Sequence, residues 1–113
     1  MKPVASFPYL HVRLSLGPDI SFGPGKAELL EHIAATGSIS AAARAMHMSY
    51  KRAWQLVDEM NRAFRNPLID TSTGGARGGG ATLTDAGKRI VTAYRALPKK
   101  VDAAAKNDLA TLA

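Results

Sequence analysis

The sequence predicts a mainly α-helical fold with small β-hairpins, and three observations carry that prediction. Apolar residues recur at spacings of three and four in several stretches between Lys26 and Leu97, the signature of amphipathic helices. Before them, Leu10, Val12, Leu14 and Leu16 alternate with His11, Arg13 and Ser15, a period of two that marks a strand. Between the last two helical stretches lies GGARGGG, which holds five of the ten glycines in the chain and is flanked by two β-prone segments. The resulting order is hairpin, helix, helix, helix, hairpin, helix. That is the outline of a winged helix-turn-helix, with a three-helix core, a wing and a C-terminal helix.

The N-terminal hairpin is expected over residues 9–22. Its alternation implies one buried face, Gly17-Pro18-Asp19 is a turn signal, and Ile20 and Phe22 alternate again after it. The three-helix core is expected over residues 26–65. Pro24 suits the first turn of a helix, where its missing N–H costs little. Lys26 to Thr36 carries Leu29, Leu30, Ile33 and Ala34 at helical spacing, and Gly37 stops it. A second, alanine-rich helix runs from about Ser40 to Met46, with Ser38 or Ser40 able to accept a backbone N–H as its cap. After the short link His47-Met48, Ser49 caps a third helix from Tyr50 to about Arg65, and Asn66-Pro67 closes it. Leu68–Thr73 and Ala81–Thr84 form the wing over residues 68–84. Thr84 caps a last helix from Asp85 to about Leu97, with Ile90, Val91, Tyr94 and Leu97 as its apolar stripe. Pro98 is expected to kink or end it. The alanine-rich tail 101–113 reads as an extra helix or a frayed end, and residues 85–113 together as a dimerisation element. All of this fits one domain spanning 1–113.

Composition narrows the function. Fifteen Lys and Arg against nine Asp and Glu give a net charge of +6, which points to a polyanionic partner. The charge is placed unevenly. Residues 44–100 hold eleven basic and four acidic side chains, a net of +7, and the remainder holds four and five, a net of −1. With no cysteine, disulfides and cysteine-ligated zinc are excluded. No apolar run reaches the roughly 18 residues of a membrane span, and the N-terminus lacks a signal-peptide pattern, so a cytoplasmic protein without membrane contact is expected. His11, His32 and His47 lie far apart with no metal-ligand spacing, and the carboxylates form no catalytic pair. No enzyme, no catalytic residue and no metal are expected.

The third helix is the candidate reader of double-stranded DNA. Ala53, Val57, Met60 and Phe64 anchor one face in the core, while Lys51, Arg52, Gln55, Asp58 and Arg62 lie on the other. The N-terminal part of the second motif helix enters the major groove in helix-turn-helix proteins, which nominates Ser49, Tyr50, Lys51, Arg52 and Gln55. Arg and Lys donate to guanine O6 and N7, and Gln pairs with adenine N6 and N7. Trp54, at the edge of the apolar stripe, is read as a core residue. Tyr50 reads either as core or as a phosphate contact. In the wing, Gly75, Arg77 and Gly78 are candidates for a groove or phosphate contact, because glycine allows close approach and one Arg can enter the minor groove. The same loop fails as a nucleotide-binding loop, since Gly80 stands where that motif needs Lys. Arg44, Lys88 and Arg89 are candidate backbone contacts.

The runs GSISAAARAMHMSYKRAWQLVDEMN and TSTGGARGGGATLTDAGKRIV closely resemble the N-terminal domain of the molybdate-dependent transcriptional regulators of the ModE family. A weaker resemblance to the LysR-type DNA-binding domain shows in the A-A-R-A helix and the L-T-x-x-G segment. The resemblance covers roughly residues 10–97. It implies a winged helix-turn-helix that forms a homodimer and binds palindromic operators, with Ser49–Gln55 starting the reading helix and Gly74–Gly80 as the wing. Longer members of that family continue into oxyanion-binding domains that hold molybdate or tungstate. A chain of 113 residues has no room for them, so no cofactor is expected and molybdate sensing is not carried over. The expected function is sequence-specific transcription regulation. The alternatives are a winged-helix protein-interaction module and a regulator that binds molybdate directly at the glycine loop.

Overall fold

The computed structural model describes residues 10–72 and 80–112. Nine elements follow one another: β1 (Leu14–Ser15), β2 (Ser21–Phe22), α1 (Pro24–Thr36), α2 (Ile39–Ala45), α3 (Tyr50–Ala63), β3 (Ile69–Ser72), β4 (Gly80–Leu83), α4 (Asp85–Ala104) and α5 (Lys106–Leu112). The two strand pairs are separate antiparallel hairpins. Leu14 pairs with Phe22 in the first, and Ile69 with Leu83 through Ser72 with Gly80 in the second.

Local chemistry sets the helix ends. Ser38, Ser49 and Thr84 sit in extended backbone, and their side chains accept the N–H groups of Ala41, Arg52 and Gly87. Of the two serines available to cap α2, Ser38 takes the role. Pro24 opens α1, and Gly37 closes it at φ 70°, a left-handed conformation that glycine adopts without a Cβ penalty. α3 ends at Ala63, short of Arg65, because Phe64 is already extended.

The core is built from Phe22, Ala27, Leu29, Leu30, Ile33, Ile39, Ala42, Ala43, Ala53, Leu56, Val57, Met60, Leu68, Ile69, Ala81 and Tyr94. Each large side chain buried here contributes about 1.5–3 kcal/mol. Phe22 is its aromatic hub. It meets Tyr94 at 5.2 Å and Phe64 at 5.8 Å, both edge to face, and so joins the N-terminal hairpin to α4 and to the end of α3. Tyr94 also donates its hydroxyl to the Val12 carbonyl.

Two expectations are corrected and a third is narrowed. The N-terminal hairpin does not bury its whole alternating face: Val12 packs on the core, but Leu14 and Leu16 are each 37% exposed. Its strands are only two residues long. Ala34 is exposed, so the stripe of α1 is narrower than its spacing implies. Of the two outcomes expected at Pro98, a kink or an end, the structure rules out the end: α4 runs on to Ala104. The apolar spacing Tyr94, Leu97, Val101 continues through the proline, with Tyr94 buried and the other two half-buried. The tail then forms α5 as an extra helix.

Candidate nucleic-acid interface

α2 and α3 are joined by Met46, His47 and Met48. His47 adopts φ 55°, the one non-glycine residue in left-handed backbone among the described residues. Its N–H donates to the Arg44 carbonyl, and the Met48 N–H to the Ala43 carbonyl. The sharp reversal lets the alanines of α2 pack closely against α3. The Ser49 hydroxyl accepts the Arg52 N–H at 3.0 Å, so Ser49 acts on α3 itself, as a cap.

The spacing of α3 sorts its side chains into columns. Ala53, Val57 and Met60 are buried. Opposite them, Lys51, Gln55, Asp58 and Arg62 follow at intervals of four, three and four, all exposed. Arg62 pairs with Asp58 at 2.7 Å, which occupies the C-terminal half of this face. Lys51 and Gln55 hold its N-terminal half. A second column starts with Tyr50 and Trp54, both exposed, and two turns further on reaches the half-buried Asn61. A third holds Arg52, Leu56 and Glu59 on the opposite flank.

That third flank differs from expectation in its company. Arg52 faces an open cleft of about 370 Å³ lined also by Arg13 and Asp19 of the hairpin and by Lys26 and Glu59. Lys26 and Glu59 form an ion pair that ties the start of α1 to α3, and Lys26 also donates to the Ser21 carbonyl. Arg52 is therefore separated from Lys51 and Gln55 and grouped with Arg13. Sequence reasoning misses Arg13, because only the hairpin brings it beside α3.

The Tyr50–Trp54 flank also corrects an expectation. Trp54 is 37% exposed and Tyr50 55%, so neither belongs to the core. Their rings meet edge to face at 6.2 Å. The core side of α3 is filled by Ala53, Leu56, Val57 and Met60. Arg44, on α2, is exposed and donates to Ser40 Oγ at 3.0 Å.

The wing is anchored at both ends. Asn61 Oδ1 accepts the N–H groups of Leu68 and Ile69, and its Nδ2 donates to the Ile69 carbonyl, which locks β3 to α3. The Ala81 N–H donates to the Gly37 carbonyl at 3.0 Å, which sets β4 against the link between α1 and α2. Thr84 donates to the Pro67 carbonyl while capping α4. Neither Asn61 nor Ser72, whose hydroxyl accepts the Gly80 N–H, carries a sequence signal beyond its polarity. The expected contacts at Gly75, Arg77 and Gly78 lie outside the described residues. Lys88 and Arg89 are exposed on the first turns of α4. Further along that helix, Arg95 holds Glu31 of α1 through two bonds, and this hydrogen bonding raises the guanidinium's pKa above its ordinary value.

Among the described residues, no group of three or more His, Cys, Asp or Glu could hold a metal, and no helix is long and apolar enough to cross a membrane.

Residues 25–88 match the family model of the bacterial regulatory helix-turn-helix proteins, lysR family. The chain is 45% identical over 87 residues to the molybdenum transport protein ModE of Azotobacter vinelandii, covering 75% of this chain and 32% of that protein. It is 42% identical over 81 residues to the DNA-binding transcriptional dual regulator ModE of Escherichia coli K12, covering 72% and 31%. The molybdenum-pterin-binding protein MopB of Rhodobacter capsulatus is 47% identical over 75 residues, covering 66% and 28%. The chain thus spans about a third of the length of these relatives. Among solved structures it resembles the protein of the CbnR_DBD–DNA complex, with TM-score 0.57, 18% identity and coverage of 79% of this chain and 97% of that one. A LysR family transcriptional regulator gives TM-score 0.54 at 23% identity, covering 74% of this chain and 27% of that chain. At these identities the structural likeness establishes the winged-helix fold.

Proposed function

The chain belongs to the bacterial regulatory helix-turn-helix proteins of the lysR family, and from that premise we propose that it is a sequence-specific, DNA-binding transcription regulator whose α3 reads the major groove. One observation carries the reading. The N-terminal half of α3 presents Lys51 and Gln55 on the face opposite its buried stripe, exposed and without an ion-pair partner among the described residues. Both side chains have the donors that base edges accept. The first turn of the helix adds backbone N–H groups suited to a phosphate oxygen. Arg52 and Arg13 on one flank, and Arg44 on α2, supply positive charge for the adjacent phosphates. The wing, with Gly75, Arg77 and Gly78, would meet the neighbouring groove or backbone.

On this reading the working unit is a homodimer. Leu14 and Leu16 on the hairpin, and Leu112 at the end of α5, are large apolar side chains left exposed. A symmetric pair covers them, and helix-turn-helix dimers present their two reading helices to half-sites one helical turn apart, about 34–36 Å. The protein acts where the genome lies, in the cytoplasm, and does no catalysis. No cofactor is assigned to this segment. The names of the Azotobacter and Rhodobacter relatives tie those proteins to molybdenum, so a response to molybdate is checked by adding it to the binding assay, with unchanged affinity expected.

The test is selection of duplexes from a random pool by the purified chain, followed by titration of the enriched duplex and a scrambled one. Enrichment of a two-fold symmetric sequence is expected. It should be bound at least about a hundredfold more tightly than the scramble, and that preference should vanish in the Lys51→Ala/Gln55→Ala variant. No enrichment, or equal binding of both duplexes, would overturn the reading. Light scattering gives the mass in solution, and a monomer at micromolar concentration would remove the dimer.

A further inference from the structure

We propose that Tyr50 and Trp54 form an apolar reading surface on α3 that recognises the C5-methyl groups of thymine in the major groove. This role rests on α3 being the DNA-reading helix and adds a specificity element to it.

Large aromatic rings normally leave water on folding, and these two keep part of their surface in it, 55% for Tyr50 and 37% for Trp54. They are two of the five large apolar side chains exposed among the described residues; two others lie on the N-terminal hairpin and the last near the chain's end. Tyr50 and Trp54 stand one turn apart in the first two turns of α3, the part of the helix that would lie deepest in the groove. Their edge-to-face contact at 6.2 Å holds the two rings as one unit, which lowers the rotamer entropy given up when a ligand covers them. Among the described residues, neither the Trp54 Nε1–H nor the Tyr50 hydroxyl has a hydrogen-bond partner, and each ring's aromatic partner is the other.

Charge favours DNA over a protein as the occupant. Lys51 lies beside the pair on the helix surface, Arg52 stands on the opposite flank, and residues 44–100 carry a net +7. A protein-docking patch is ordinarily larger and more apolar than two rings beside a cation. In the major groove the one apolar group on a base edge is the thymine methyl, and it is matched by apolar side-chain contact. Lys51 and Gln55, on the adjoining column, offer polar readout, so the two columns divide the groove between hydrogen-bonded and methyl-marked base pairs.

The experiment uses the full chain and the duplex it enriches from a random pool, resynthesised with deoxyuridine replacing thymidine one position at a time. Each replacement removes a single methyl group. Wild type is expected to bind about fourfold more weakly at each contacted position, the worth of one buried methyl-sized group. The Tyr50→Ala/Trp54→Ala variant keeps every fully buried core residue and should retain the wild-type circular dichroism spectrum, melting lower because part of the indole is buried. It should bind the thymidine and deoxyuridine duplexes equally. Wild-type binding that ignores every methyl overturns the proposal while leaving sequence-specific binding standing. Discrimination that persists in the double variant also overturns it, and a double variant with unaltered DNA affinity marks the pair as a protein-docking site. If the wild-type chain enriches no duplex, the DNA-reading role fails and this proposal with it.

Discussion

A β-carbon added to Gly87 would lie 2.2 Å from the carbonyl oxygen of Leu68. Gly87 is in the first turn of α4, and Leu68 leads into β3, so this approach sets how closely the C-terminal helix seats on the wing. The obstructing atom is backbone and cannot rotate aside. Gly87→Ala gains about 1 kcal/mol of helix propensity, but overpacking against a fixed carbonyl costs about 1–3 kcal/mol or more. The steric term wins. The variant is expected to melt lower by several degrees, since 1 kcal/mol moves a domain of this size by about 4–8 °C. Thermal unfolding followed by circular dichroism checks it, and an unchanged or higher midpoint would contradict the close packing.

Asn61 makes three bonds that no other side chain in α3 is placed to make. Asn61→Ala strands the N–H groups of Leu68 and Ile69, both buried, at about 1–3 kcal/mol for an unsatisfied group. Asn61→Asp keeps the oxygen that accepts both N–H groups but sets a second carboxylate oxygen against the Ile69 carbonyl. Denaturant midpoints should therefore fall in the order wild type, Asp, Ala. Amide exchange should rise first at Leu68 and Ile69, ahead of the core of α1.

These two residues show where the sequence is legible and where it is not. Gly37, Ser49 and Thr84 can be placed because a helix end is decided by residues within one turn of it. Leu29, Leu30, Val57 and Met60 can be placed because a helix repeats its buried face. Asn61 and Gly87 both act on Leu68, which lies 7 and 19 residues away, through backbone groups that leave no trace in composition. Trp54 departs from its spacing for a related reason. The spacing puts it beside the apolar stripe, and whether such a ring is covered is decided by what packs over it. Leu14 and Leu16 alternate as a buried strand should, yet each stays 37% exposed. Pro98 carries a breaker's signal, while the spacing of Tyr94, Leu97 and Val101 continues along α4 past it.

Tyr94 makes stability depend on alkaline pH. Burial raises its pKa above the ordinary tyrosine value, against a smaller downward pull from Arg95 and Arg13. The folded protein therefore holds the neutral phenol, which donates to the Val12 carbonyl. This contribution is fully present below about pH 10, where the unfolded tyrosine is also neutral. It fades as pH rises from there through the folded pKa, because the unfolded chain ionises first. Tyr94→Phe removes the bond, at about 1 kcal/mol near neutrality, and removes the titration. The stability gap between the two proteins should narrow above about pH 10 in urea titrations. A gap that stays constant to about pH 11 would place the phenol outside the folding linkage.

The columns of α3 predict that its two neighbouring cations behave differently on DNA. Lys51 shares the outer face with Gln55, where base edges would be met, whereas Arg52 turns to the cleft that holds Arg13. Lys51→Ala and Gln55→Ala should each cost about 1–3 kcal/mol on the enriched duplex and little on a scrambled one, so the preference between them shrinks. Arg52→Ala and Arg13→Ala should weaken both duplexes alike, keeping the preference. Each of these two should also reduce the slope of log affinity against log salt by about one, as expected when a single phosphate is no longer neutralised. The acidic groups of the cleft, Asp19 and Glu59, compete with phosphate for these arginines. Glu59 is already held by Lys26, which leaves Asp19 as the competitor. Asp19→Asn should accordingly tighten binding to every duplex by a similar factor. Titrations of the five variants against both duplexes over a range of salt concentrations check the assignment, and an Arg52→Ala protein whose preference collapses while its salt slope stays unchanged would move Arg52 to the base-reading face.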